Sequence, residues 1–154
     1  MEGYHVPTLH PSLAAEIECE RYSVRMEDRV AIHEVPPKPG AVYDGLWAWV
    51  WPNTCFNVYA EGMMMERISP SGAGRCQLDY TYLTPGGTPL TPETLAMSAQ
   101  VVAEDKWISE AVQKNLEAGV YETGRLSPKH EIAIAAFQGM IREALGLAAA
   151  PPVA

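Results

Sequence analysis

Positive charge is scarce in this sequence: 11 Lys and Arg stand against 19 Asp and Glu, for a formal net charge of -8. A phosphate backbone needs a basic face, so nucleic acid is excluded as a partner. Long apolar runs are also missing. None approaches the roughly 20 residues of a bilayer-spanning helix, and Met1 to His10 carry no basic-then-apolar leader, so no membrane segment is expected and the cytoplasm is the expected compartment. Cysteine is sparse and odd in number. Cys19, Cys55 and Cys76 show no Cys-x-x-Cys spacing, which excludes a disulfide framework, or a zinc or iron-sulfur site built from them alone, and they are expected to be buried reduced thiols.

What remains is a chain of 154 residues, 47% hydrophobic and 19% charged, enough for one domain with a real core. The expected domain spans 1-146, with 147-154 as a flexible tail. Residues 2-18 read as a short helical segment interrupted by Pro7 and Pro11, and Tyr22 to Val35 as a strand-like run ended by Pro36, Pro37, Pro39 and Gly40. Gly45 to Trp51 is nearly all apolar, as in a buried strand, and Phe56-Tyr59 and Met63-Ile68 read as its neighbours. Gln77 to Leu83 alternates, with Leu78, Tyr80 and Tyr82 on one side, the pattern of an antiparallel strand buried on one face. Thr91-Pro92 supplies an N-cap and a first-turn proline for a long helix to about Ala118, stopped by Gly119. Ser127-Pro128 repeats that signal before a last helix carrying Ala133, Phe137, Met140 and Ala144. The expected fold class is α+β, an antiparallel sheet wrapped around a long helix.

Three residues invite a metal. His5 and His10 are five apart, about 140° apart around a regular helix, so one ion could not reach both unless Pro7 breaks the helix between them. Two solvated histidines near a chain end are the plainer reading of that pair. Asp105 is more informative, because it falls in register with Ile108, Val112 and Leu116 on the stripe that should face the core. A carboxylate there is costly unless it binds a cation, whether a metal or an arginine such as Arg67 or Arg75. Two histidines and one aspartate are the donor set of the facial triad on non-haem Fe(II). His33 falls in a strand beside charged residues and His130 in the first turn of a helix, so both are expected at the surface. Trp47, Trp49 and Trp51 should share one strand face, either as core packing or as ring faces for a cation.

The motifs Gly3-Tyr4-His5-Val6-x-x-x-His10-Pro11 and Glu104-Asp105 followed by Glu110-Ala111-Val112-Gln113 resemble the iron-ligand segments of Rieske-type ring-hydroxylating oxygenase α subunits. Gly45 to Asn53, Asn57-Val58-Tyr59 and Gly119 to Ser127 are similar to the branch of that family that oxidises quaternary ammonium compounds such as choline, betaine or carnitine. The resemblance runs from residue 2 to about 146. It implies a helix-grip fold and one mononuclear Fe(II) on His5, His10 and Asp105. It also implies O2-dependent hydroxylation or oxidative N-demethylation of a small aromatic or quaternary-ammonium substrate. Glu2 becomes the acidic residue that links this iron to a neighbouring subunit's Rieske cluster; read by itself, it is equally a solvated carboxylate near the chain's first residue. Trp47, Trp49, Trp51 and Tyr59 become candidate substrate contacts.

The sequence departs from that family in one respect. The Cys-x-His and Cys-x-x-His pairs of a Rieske cluster do not occur, so no [2Fe-2S] cluster is expected in this chain. It reads as the latter part of an α subunit, whether from a split gene, an internal start or a truncation. Electrons would then come from a separate Rieske protein and its reductase, and a homotrimer or hetero-oligomer is the implied assembly. The alternatives are a non-enzymatic ligand-binding domain, or a structural subunit, that retains the same cavity.

Overall fold

The structure, a computed structural model, describes residues 5-121 and 124-147; Glu2 and the tail from 148 onward lie outside the described residues. Proline sets its first elements. Pro7 and Pro11 open two short helices, α1 (Val6–Leu9) and α2 (Pro11–Glu16), with His10 between them in a non-helical conformation (φ -131°, ψ 69°). A break does separate the two histidines, but it falls at His10 and not at Pro7: Pro7 sits in the first turn of α1, where its missing N–H costs nothing, and Pro11 at the first position of α2 starts a new helix.

Six strands follow: β1 (Ser23–Glu27), β2 (Val30–Glu34), β3 (Tyr43–Val50), β4 (Thr54–Tyr59), β5 (Gly62–Pro70) and β6 (Cys76–Leu83). They pair in sequence order, each antiparallel to the next. The single run expected over Tyr22-Val35 is thus a hairpin, turned at Asp28 with φ 51°. Between Tyr43 and Trp47 the pairing with β4 shifts, and Gly45 sits in that irregularity at φ 72°. A Cβ at Gly45 would fall 1.9 Å from the Val35 carbonyl oxygen, so only glycine permits this approach.

The long helix, α3 (Pro92–Glu117), begins as its sequence indicated, with Thr91 accepting from the Thr94 backbone N–H and proline at the first position. Gly119 follows at φ 68°. The last helix, α4 (Ile132–Ala144), starts later than Ser127-Pro128 suggested. Glu131 turns back to accept from the Ser127 backbone N–H at 2.6 Å, holding residues 127-131 as a turn.

All four helices lie on one face of the sheet. Pairing register puts Trp49, Cys55, Glu66 and Tyr80 in one row across that face, and His33, Trp47, Asn57, Met64 and Tyr82 in the next. Phe137 of α4 meets Trp49 edge-on, at 5.1 Å between ring centroids. Ser98 of α3 bonds both Tyr59 and Tyr82 hydroxyls at 3.0 Å. The core joins Val6, Leu13 and Ile17 to Val35, Tyr43, Tyr59, Met64 and Leu90.

Three expectations about burial need correction. The first half of α3 contributes buried Thr94 and Ser98, while Val112 and Leu116 farther along are 44% and 48% exposed. The stripe's register holds, but the sheet covers only its first turns. His33 is not at the surface: it is 7% exposed and shares a 2.9 Å hydrogen bond with the Tyr22 hydroxyl. Cys76 is exposed, and the other two thiols are half-buried. Among the described residues no helix is long and apolar enough to cross a membrane.

Candidate metal and substrate site

His10 emerges at the junction of α1 and α2, where the break turns its ring into the molecule, and it is 1% exposed. Its two nitrogens meet two consecutive carboxylates of α3. Nδ1 lies 2.8 Å from Glu104 Oε2, and Nε2 lies 3.1 Å from Asp105 Oδ1. Only the first contact is an aligned hydrogen bond. Nε2 is buried without one, despite the closeness of Asp105.

This arrangement defines the state of the ring. The Nδ1–H donates to Glu104, which leaves a lone pair on Nε2 directed into the space beside Asp105. Two donors about 2.1 Å from one metal and about 90° apart would lie about 3.0 Å from each other, close to the separation found here. Glu104 is itself held by Ser12 (3.2 Å) and by Gln100 (2.8 Å), so the carboxylate orienting the ring is fixed from two helices. Burial pulls the His10 pKa down, but Asp105 and Glu104 outweigh it, and the net shift is upward.

His5 is placed differently. It caps α1 in a helical conformation, its side chain is 38% exposed, and Nε2 lies 4.0 Å from Glu131 Oε1. Among the described residues no three His, Cys, Asp or Glu side chains gather closely enough to hold a metal. The structure therefore brings His10 and Asp105 together and directs His5 toward the turn before α4.

A cavity of about 1270 Å3 opens from His10 and Asp105 along the sheet. Trp47, Trp49 and Glu66 line it, and the outer half of α3 with the β5–β6 turn forms its rim. Trp47 is stacked on Tyr22, with ring centroids 6.1 Å apart and planes within 7°. Trp51 is not among the cavity-lining residues and packs near Trp49 and Phe137 instead. Tyr59 is 2% exposed in the core and donates to Ser98, so it too stands apart from the lining. Of the four aromatic residues proposed from sequence, Trp47 and Trp49 reach the cavity.

Three site features were not singled out as such in the sequence. Glu104 belonged to a motif but had no role, and the available signal was its place one residue before a core-facing Asp105. His33 and Glu66 gave no signal beyond strand alternation, which puts each on the same face as a tryptophan.

The class these features define is an α+β domain in which a six-stranded antiparallel sheet and a long helix enclose a cavity, with paired carboxylates meeting a buried histidine at its edge. Residues 1–147 match the family described as "Ring hydroxylating alpha subunit (catalytic domain)". The chain belongs to that family. It is 31% identical over 135 residues to choline monooxygenase, chloroplastic, of Arabidopsis thaliana, covering 80% of this chain and 32% of that protein. The Beta vulgaris choline monooxygenase is 28% identical over 162 residues, covering 93% of this chain and 34% of its own. The chain thus spans about a third of the length of the curated relatives it matches. Among solved structures, a quaternary ammonium Rieske monooxygenase described for carnitine oxidation superimposes with TM-score 0.72 at 22% identity, over 92% of this chain and 44% of that one. The monooxygenase CntA in complex with L-carnitine superimposes with TM-score 0.69, over 93% and 42%. These likenesses support the α+β fold of a six-stranded antiparallel sheet and a long helix.

Proposed function

We propose that this chain is the mononuclear-iron half of a Rieske-type oxygenase that hydroxylates, or oxidatively demethylates, a small quaternary-ammonium or aromatic substrate. The observation that carries the reading is the buried, unbonded His10 Nε2 beside Asp105. His10 and Asp105 would hold Fe(II), and His5 is proposed as the third ligand from its motif. Iron bound there supplies reductive activation of O2, a process needing two electrons from outside the substrate.

The chain's own residues prepare that chemistry. Glu104 keeps the Nδ1 proton of His10 in place, so the ring cannot switch tautomer and lose its free lone pair. Asp105, half-exposed at the cavity edge, supplies the negative charge that offsets a divalent cation. Apolar lining such as Val6, Leu13 and Trp47 limits water around the reacting carbon. The ring of Trp49 offers a π-face to a cationic substrate, worth about 0.5 to 2 kcal/mol.

Electrons are assigned to a separate Rieske protein and reductase, with Glu2 as the acidic link between the centres. A homotrimer or hetero-oligomer would supply the contact. We class the fold as helix-grip, with α3 held against the curved sheet, and infer a reducing compartment such as the cytoplasm from the three free thiols.

The decisive measurement is iron content after anaerobic loading. About one Fe(II) per chain is expected, and His10→Ala or Asp105→Ala should abolish tight binding. Unchanged stoichiometry in both variants would overturn the assignment. The placement of His5 against Glu131 favours a second reading, a cavity that binds ligand without catalysis. That reading gains if loaded protein, given a Rieske donor or peroxide, forms no product.

A further inference from the structure

The floor of the cavity holds one carboxylate that the iron reading does not use. Glu66 lies in the middle of β5, and register places it in the row Trp49, Cys55, Glu66, Tyr80, on the face that carries the cavity. The Tyr80 hydroxyl donates to its Oε1 at 3.2 Å. Among the described residues no Lys or Arg pairs with it; the cavity's cations, Arg75, Lys106 and Lys114, sit on the β5–β6 turn and the outer half of α3. One neutral hydroxyl does not balance a half-buried negative charge.

We propose that Glu66, held by the Tyr80 hydroxyl, is the anionic floor of a subsite for a quaternary-ammonium head group, with the ring of Trp49 as its wall. The proposal deepens the oxygenase reading and rests on it for the idea that the cavity takes a substrate. Burial pushes the Glu66 carboxyl above its usual range; the Tyr80 bond pulls it back, and the charge of Asp105 adds to the rise. Asp105 is therefore near enough for its field to reach Glu66. A head group over this floor shares one cavity with His10.

The neighbours favour a quaternary cation over a protonated amine. A primary ammonium brings three N–H donors that all need acceptors. Around Glu66 on this face, Trp49, Cys55 and Met64 present no oxygen, and the amide of Asn57 is one further acceptor, fewer than three N–H donors require together with Glu66. A trimethylammonium group has no N–H to satisfy, and it gains from charge and from ring faces at low desolvation cost. An anionic group would be repelled by both Glu66 and Asp105.

The test compares choline with 3,3-dimethylbutanol, the neutral isostere in which carbon replaces the nitrogen, by calorimetry on the metal-free full chain. Choline should bind at least about tenfold more tightly than the isostere, the scale of one charge contact in a partly screened site. Glu66→Gln should bring choline to the isostere's affinity and leave isostere binding unchanged, which also shows that the variant is folded. Glu66→Asp should retain part of the preference. The proposal is overturned if Glu66→Gln binds choline like the wild type, if both ligands weaken together, or if the wild type binds neither choline nor glycine betaine. Iron loading is scored separately. Iron without choline preference sinks the subsite alone, and choline preference without iron sinks the oxygenase reading alone.

Discussion

His10 and His33 are both buried, at 1% and 7% exposure, yet their protonation is driven in opposite directions. Burial favours the neutral ring at each. At His33 burial prevails and the pKa falls to about 4, because the Tyr22 hydroxyl on Nδ1 carries no charge. At His10 two carboxylates of α3 reverse the outcome. One ring is built into a neutral wall of the cavity, the other into a socket for positive charge. Partners rather than burial distinguish a packing histidine from a candidate ligand.

The strongest way to break this contrast is to remove charge from the socket. Asp105→Asn keeps the shape but takes away the negative donor beside Nε2, and Fe(II) affinity should fall by at least about 100-fold in a competitive chelator titration. His33→Gln should leave that affinity within about twofold, since it stands outside the pair. Equal losses in the two variants would erase the distinction.

A second measurement sharpens the His33 side. Its folded pKa of about 4 lies below the reference 6.5, so the unfolded chain takes up the proton first as pH falls. The stabilising contribution is complete above about pH 6.5, is drawn down between there and about pH 4, and is gone below. The full swing is on the order of 3 kcal/mol for a shift of this size. Denaturant unfolding of wild type minus His33→Gln should show that slope in the acid limb. A flat difference curve would mean that His33 is not held neutral.

The smallest expected effect concerns the residue that orients His10. Glu104→Gln keeps size and hydrogen bonding but can present either its oxygen or its NH2 to Nδ1, and iron affinity should weaken by about 10- to 100-fold. Stoichiometry should remain one per chain, unlike the outcome for His10→Ala. Loss of stoichiometry would make Glu104 a ligand rather than an orienting group.

Much of the frame was legible from local chemistry. Proline at residues 7, 11 and 92, the Thr91 cap and the alternation over Gln77-Leu83 act within a few residues, so their consequences appear in the sequence itself. Where a signal depended on a distant partner, reading failed or stayed incomplete. Ser127-Pro128 resembled a helix start, but Glu131 claims the Ser127 N–H and delays the helix. Trp51 and Tyr59 shared the composition of a substrate wall, but Trp51 falls beyond the end of β3 and Tyr59 is 2% exposed in the core, and neither lines the cavity.

The sequence by itself determined the element order, the α+β class, the scarcity of positive charge and the pairing of His10 with the Glu104-Asp105 segment through motif resemblance. Tertiary structure decided which nitrogen of His10 meets which carboxylate, that His33 is buried and neutral, that His5 faces Glu131, and that Glu66 lies on the cavity floor. The physical reason is separation along the chain. His10 and Glu104 are 94 residues apart, and a 2.8 Å contact between them exists only after the sheet has brought α1 and α3 to the same face.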